Sequence, residues 1–191
     1  MKKYLTLPNV LTGLRILCAA VIAFLPPLSV PFFALYLFCG VTDVADGAIA
    51  RGGGTVSEFG ARLDSVADIF FNAVTLCRLF PVLSGLLPRA VWWVAGGVLA
   101  VRLAAYLAAF CRYRRFAALH TYLNKLTGIL LFALPFFLLT PVAAAFSFAV
   151  CGAGAIASAE ELVLHLTSRE YDANTKSIFR LAQKNVKNHQ T

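Results

Sequence analysis

An all-α integral membrane protein, a bundle of about six transmembrane helices, is the fold class this sequence predicts, and three observations predict it. Hydrophobic residues make up 60% of the 191 positions and charged residues only 14%, with a mean hydropathy of +0.77, which is far more apolar than a soluble domain. Apolar runs of roughly 20 residues, the length a helix needs to cross a bilayer, recur along the chain. Proline, glycine and basic clusters punctuate those runs where turns are needed.

Taken in order, residues 1–9 form a short basic and apolar segment, MKKYLTLPN, suited to the membrane interface, and Pro8 suits the first turn of a helix. The first span runs from about Val10 to Leu25 and ends at Pro26-Pro27. The second begins near Pro31 and passes through Phe32, Phe33, Leu35, Tyr36, Leu37 and Phe38 before Gly52-Gly53-Gly54 stops it. The third starts near Ser57 and runs to about Phe80, the fourth from about Arg89 to Cys111, the fifth from about Tyr122 to Leu139, and the sixth from about Val142 to Leu166. Gly96-Gly97, the alanines from Ala143 to Ala145, and Gly152 and Gly154 suit close helix packing. Residues 168–191 are a polar, basic tail outside the bilayer core. The length suits a single membrane domain over 1–191, without linker or internal repeat, and its first apolar run lacks a small-residue cleavage site.

Five cysteines, Cys18, Cys39, Cys77, Cys111 and Cys151, are scattered through apolar runs without CxxC spacing, so they read as small buried side chains rather than as zinc ligands or disulfides. The net charge of +8 is distributed unevenly. In a six-span topology Lys2, Lys3, Arg15, Arg51, Arg62, Arg112, Arg114, Arg115, Lys125 and the tail fall on one side, and Arg78 and Arg89 on the other. Both termini are therefore expected in the cytoplasm, with the basic groups facing anionic headgroups of the cell membrane. No nucleic-acid partner is expected, since no recognition fold accompanies the basic tail.

Against this background one stretch stands out: DVADGAIARGGGTVSEFGARLDSVAD, from Asp43 to Asp68, holds four of the nine acidic residues. Asp43 and Asp46 are three apart and Asp64 and Asp68 four apart, so each pair shares a helix face. Two such helices facing each other converge four carboxylates on one point, in the cytoplasmic half of the bundle. Such a concentration of charge in a poorly hydrated place calls for cations, and oxygen-only donors suit Mg²⁺ or Mn²⁺, so the arrangement reads as a two-metal site. Gly47, Ala48 and Ala50, with Gly60 and Ala61, let a bulky ligand approach closely, and Arg51 is placed to neutralise a phosphate held against the metals.

Asp43, Asp46, Gly47, Ala50, Arg51, Gly60, Asp64 and Asp68 stand in the spacing D-x2-D-G-x2-A-R-x8-G-x3-D-x3-D, eight fixed positions over 26 residues. This pattern resembles the signature of the CDP-alcohol phosphatidyltransferases, with no position missing. The resemblance implies an enzyme that transfers a phosphatidyl group from CDP-diacylglycerol to an alcohol and releases CMP. It assigns Asp43, Asp46, Asp64 and Asp68 to two divalent ions, Asp68 also to the base that takes the acceptor's proton, and Gly47, Ala50, Arg51 and Gly60 to the nucleotide and its diphosphate. Asn9, beside Pro8, resembles an element that borders the nucleotide, and the resemblance further implies a homodimer.

Intramembrane aspartates also line cation pathways. Arg51 and the glycines favour the diphosphate reading, because an arginine beside the ligands of a transported cation would repel it. For the acceptor, Arg112 and Lys125 are the candidates, since a phosphorylated alcohol such as glycerol 3-phosphate or inositol phosphate needs cations. Positive-inside topology alone also accounts for them. Serine, or a CDP-choline or CDP-ethanolamine reaction onto a lipid alcohol, stays open, and Glu160 and Glu161 read either as buried partners of Arg102 or as functional groups. His120 and His165 read as interfacial polar residues.

Overall fold

The computed structural model describes residues 7–52, 58–113 and 121–167. These form six helices, with no strand among the described residues: α1 (Leu7–Ile22), α2 (Val30–Gly52), α3 (Glu58–Leu86), α4 (Arg89–Tyr113), α5 (Tyr122–Phe137) and α6 (Ala143–Thr167). The interfacial segment up to Thr6, the loop 53–57, residues 114–120 with Arg114, Arg115 and His120, and the basic tail lie outside the described residues. Three apolar segments, Arg62–Leu86, Arg89–Arg112 and Ala143–Leu166, are long and apolar enough to cross a membrane, while Asn9–Ile22, Val30–Ala45 and Tyr122–Phe137 are shorter. The chain divides into two compact units, Met1–Leu86 and Leu87–Thr191.

In the first unit α1 packs against both α2 and α3. Its buried stripe is Thr12, Arg15, Ala19 and Ile22, spaced three and four apart as one helix face requires. α2 answers with Phe32, Tyr36, Cys39 and Thr42, and α3 with Ala67, Phe71, Thr75 and Leu79. The Tyr36 and Phe71 rings join α2 to α3 at 5.5 Å, and Tyr36 also stacks on Phe32 at 6.0 Å. Between α1 and α2 the chain turns through Pro26 and Pro27 with Leu28 at a φ of 60°, a left-handed conformation that leucine adopts only in a tight turn. α1 ends at Ile22, before the expected Leu25, and the amides of Phe24 and Leu25 turn to the i−3 carbonyls of Val21 and Ile22 at 3.0 and 3.2 Å. Ser29 then accepts the Phe32 amide at 3.3 Å, satisfying one of the free donors at the start of α2.

α3 continues past the expected stop at Phe80 and carries Pro81 inside it. Proline removes one backbone donor, but helices in membranes accommodate it when nearby hydroxyls and neighbouring helices take up the freed groups. One turn further on, the Ser84 hydroxyl donates to the Pro81 carbonyl at 2.9 Å, a local bond within the same helix. One turn before the proline, the Arg78 guanidinium donates to the Leu25 carbonyl and ties α3 to the α1–α2 turn.

In the second unit α6 is the common partner of α4 and α5. Gly154 marks the close approach: a Cβ there would meet Val98 Cγ1 of α4 at 3.3 Å and Thr127 Cγ2 of α5 at 3.6 Å. Gly96, Gly97 and Gly152 differ from the expectation, since a Cβ on any of them would have no neighbour within 4 Å among the described residues. Thr121 caps α5 by accepting the Asn124 amide at 3.2 Å, and Phe137 stacks on Phe146 at 4.2 Å across the α5–α6 turn.

Candidate active site

Arg15, from the middle of α1, is fully buried in the first unit and faces α2 and α3. A guanidinium stays charged inside proteins and has five N–H donors, so burying one demands acidic acceptors close by. Its Nη1 donates to Asp64 Oδ1 at 2.9 Å and to Asp68 Oδ1 at 2.8 Å, and lies 3.0 Å from Asp43 Oδ1. A single nitrogen therefore sits at the meeting point of three carboxylates from two other helices.

The spacing read from the sequence explains how the acidic groups arrive there. Asp64 and Asp68 lie one turn apart on α3, so both project from one face toward α1, and Asp43 reaches the same point from α2. The supports are polar but self-contained. The Thr42 hydroxyl bonds to the carbonyls of Phe38 at 2.8 Å and Cys39 at 3.0 Å within α2, and the Cys39 thiol donates weakly to the Arg15 carbonyl at 3.8 Å. Carboxylate oxygens of Asp43, Asp64 and Asp68 all lie within 4.8 Å of one another. Arg15 closes the inner side of this cluster, whereas the three aspartate side chains remain 47%, 41% and 42% exposed, so the outer side is open to an arriving ion or substrate.

These residues fit divalent metal ions. The donors are all carboxylate oxygens, the set that Mg²⁺ and Mn²⁺ prefer, and a positively charged group already stands at the point they share. A metal would draw the oxygens closer, since Mg²⁺ binds oxygen at about 2.0–2.1 Å.

Of the remaining residues singled out in the sequence, Asp46, Gly47, Ala50 and Arg51 belong to the last turns of α2, with their side chains outside the described residues. Gly60 stands in the first turn of α3, one turn before Asp64, and Asn9 in the first turn of α1. Arg112 is exposed and its Nη1 donates to the Leu166 carbonyl at 3.0 Å, a contact with the last turn of α6 that complements the negative end of that helix. Lys125 is exposed on α5.

The second unit contains a polar cluster of its own. Glu161 is fully buried on α6, with Oε2 3.4 Å from Arg102 Nη2 of α4 and accepting Asn124 Nδ2 of α5 at 3.2 Å. Arg102 also donates to Asn124 Oδ1 at 2.9 Å and to the Tyr106 hydroxyl at 3.3 Å. Of the two readings of the glutamates, the structure makes Glu161 the buried partner of Arg102. His165, expected at an interface, is instead buried one turn further along α6, with Nε2 3.8 Å from Glu161 Oε1.

Sequence reasoning missed Arg15 as a site residue and counted it only among the charges that set topology. The available signal was its phase, because Arg15 falls on the same face as Thr12, Ala19 and Ile22 in an apolar run, where an unmatched charge is very costly.

Comparison with known proteins bears on this geometry. A family model described as CDP-alcohol phosphatidyltransferase matches residues 5–164, from just before α1 into the last turns of α6. No curated protein and no solved structure matches the chain.

Proposed function

The chain belongs to the CDP-alcohol phosphatidyltransferase family, and from that premise we propose that it transfers the phosphatidyl group of CDP-diacylglycerol to a small phosphorylated alcohol, with glycerol 3-phosphate favoured, and releases CMP. Membership makes it a membrane transferase of phospholipid biosynthesis with a CDP-alcohol donor, an alcohol acceptor and divalent metal ions. The observation that supports metal-assisted transfer is the convergence of Asp43, Asp64 and Asp68 on one cation, with an open outer side, while the acceptor assignment rests on the basic residues Arg112 and Lys125.

In this reading Asp43, Asp46, Asp64 and Asp68 hold two Mg²⁺ or Mn²⁺ ions. When bound, such ions polarise a phosphoryl group and neutralise the charge of a departing phosphate. The rest of the chemistry belongs to the chain. Gly47, Ala50 and Gly60 leave space for the nucleotide, Asn9 borders it, and Arg51 pairs with its phosphate. Asp68 takes the proton from the acceptor hydroxyl as that oxygen attacks the lipid-bearing phosphorus and the bond from phosphorus to the CMP oxygen breaks. One bond forms as one breaks, so no covalent enzyme intermediate is required. Arg112 and Lys125 bind the acceptor's phosphate, both termini are cytoplasmic, and the enzyme acts as a homodimer in the cell membrane over a single domain, residues 1–191.

Purified protein incubated with CDP-diacylglycerol, Mg²⁺ and a panel of alcohols, with the lipid product identified by mass, tests the reading. The expected product is the glycerol phosphate lipid, formed with release of CMP. A product built on serine, inositol phosphate or a lipid alcohol replaces the acceptor assignment but leaves the reaction class in place. Chelation should abolish CMP release and Mg²⁺ or Mn²⁺ restore it, and Asp43→Asn or Asp64→Asn should lower it by about two orders of magnitude or more. Full CMP release by either variant refutes the metal assignment, and cation flux without nucleotide chemistry would instead mark a transporter.

A further inference from the structure

The contact that joins α1 to the aspartates raises a question of occupancy. Nη1 of Arg15 is bound by Oδ1 of Asp43, Asp64 and Asp68, the oxygens that a metal at their meeting point would need. At 2.8–3.0 Å this nitrogen holds the place of a cation, and a divalent ion cannot share that place with it. We infer that Arg15 is the resident counter-cation of the metal-free site: it holds the three carboxylates together until a divalent ion displaces its guanidinium from their Oδ1 atoms. The inference rests on the metal reading of the cluster.

Three features carry it. First, the charges balance in the direction of exchange, because among the described side chains three carboxylates against one guanidinium leave a net charge of about −2, enough to attract a divalent ion without letting the aspartates repel one another apart. Second, the guanidinium does not lose its proton inside a protein, so it yields the oxygens by moving and not by titrating. Third, Arg15 closes the inner side while the outer side is open, so an ion arrives from the side opposite the group it replaces. A positioning role follows: Arg15 keeps Asp43 on α2 in register with Asp64 and Asp68 on α3 before any metal binds, and thereby opposes metal binding by the strength of its own contacts.

The measurement is Mn²⁺ binding to the full-length chain in detergent, followed by titration calorimetry and by the spin resonance of free Mn²⁺, together with thermal unfolding in chelator. Arg15→Met keeps the length of the stem and removes the charge. It should bind Mn²⁺ about ten- to a hundredfold more tightly, toward the lower end because the carboxylates are nearly half exposed. In chelator it should unfold at a lower temperature than the unaltered chain, and its gain in stability on adding Mn²⁺ should be larger. Arg15→Lys retains a cation without the planar fork and should fall between the two in affinity, so the inference stays testable if Arg15→Met fails to fold. Mn²⁺ affinity that is unchanged or weaker in the variants overturns the counter-cation role while leaving the metal site standing. Absence of saturable Mn²⁺ binding in the unaltered chain overturns the metal reading, and this inference with it.

Discussion

Two side-chain cations, Arg15 and Arg102, show how differently single residues can be read before and after folding. Both lie in apolar runs and both find carboxylates on other helices, yet Arg15 meets three aspartates whereas Arg102 shares Glu161 with Asn124 and stacks near the Tyr106 ring at 5.9 Å. The aspartates were legible in the sequence because their spacing is local, three or four residues on one helix. Their partner was not, because Arg15 lies 49 and 53 positions before Asp64 and Asp68, and no local periodicity relates residues so distant. Arg112 is a third case, read from the sequence as an acceptor ligand and found bonded to the end of α6. If Lys125 and Arg112 bind an acceptor phosphate, Lys125→Ala and Arg112→Ala should each raise the acceptor KM by about one to two orders of magnitude, since a charge-assisted hydrogen bond is worth about 1.5–3 kcal/mol. The KM for CDP-diacylglycerol should not move. A variant whose acceptor KM is unchanged but whose thermal stability falls would assign Arg112 to the α6 contact alone, and an acceptor without phosphate should then serve equally well.

At the scale of elements, the helices were placed with little error because apolar length and Pro or Gly breaks are strong signals, and the differences have local causes. α1 ends early because its amides turn to i−3 carbonyls ahead of Pro26-Pro27, Phe24 to Val21 at 3.0 Å and Leu25 to Ile22 at 3.2 Å, and α3 runs on through Pro81 as helices in membranes can. Packing glycines were harder to read. A glycine in a span looks the same in sequence whether a neighbouring helix approaches it or not, and only Gly154 of the expected set meets such neighbours among the described residues. Gly154→Val should therefore lower the thermal stability of the detergent-solubilised protein by about 1–3 kcal/mol, as overpacking forces Val98 and Thr127 apart, even though valine is the better helix former. Gly152→Val, on the same helix but with open space at its Cβ, should stay within about 0.5 kcal/mol of the unaltered protein or exceed it. Equal losses at the two positions would show that the close approach of α4 and α5 to Gly154 does not govern this region.

For the whole molecule, the sequence distinguishes one side of the membrane from the other by charge alone. The stretches that join α2 to α3 and α4 to α5 are bordered by Arg51, Arg62, Arg112, Arg114, Arg115 and Lys125, while the turns after α1, α3 and α5 have only Arg78 and Arg89 near them. Lysine and arginine resist translocation across the bilayer, so the bias over short loops sets orientation. If all six helices cross, the first set of connections shares a side with both termini, and we propose that side to be the cytoplasm. On the proposed orientation the aspartate cluster, toward the end of α2 and the start of α3, would face the side on which nucleotides are available. Single cysteines introduced into a chain lacking its five native ones test this directly. A cysteine at Thr55 should react with a membrane-impermeant maleimide only after the cells are opened, and one at Leu28 or Thr140 should react in intact cells. Labelling of Thr55 from outside would invert the topology and put the nucleotide site on the side of the membrane opposite the one proposed, overturning the orientation while CMP release continues to test the reaction.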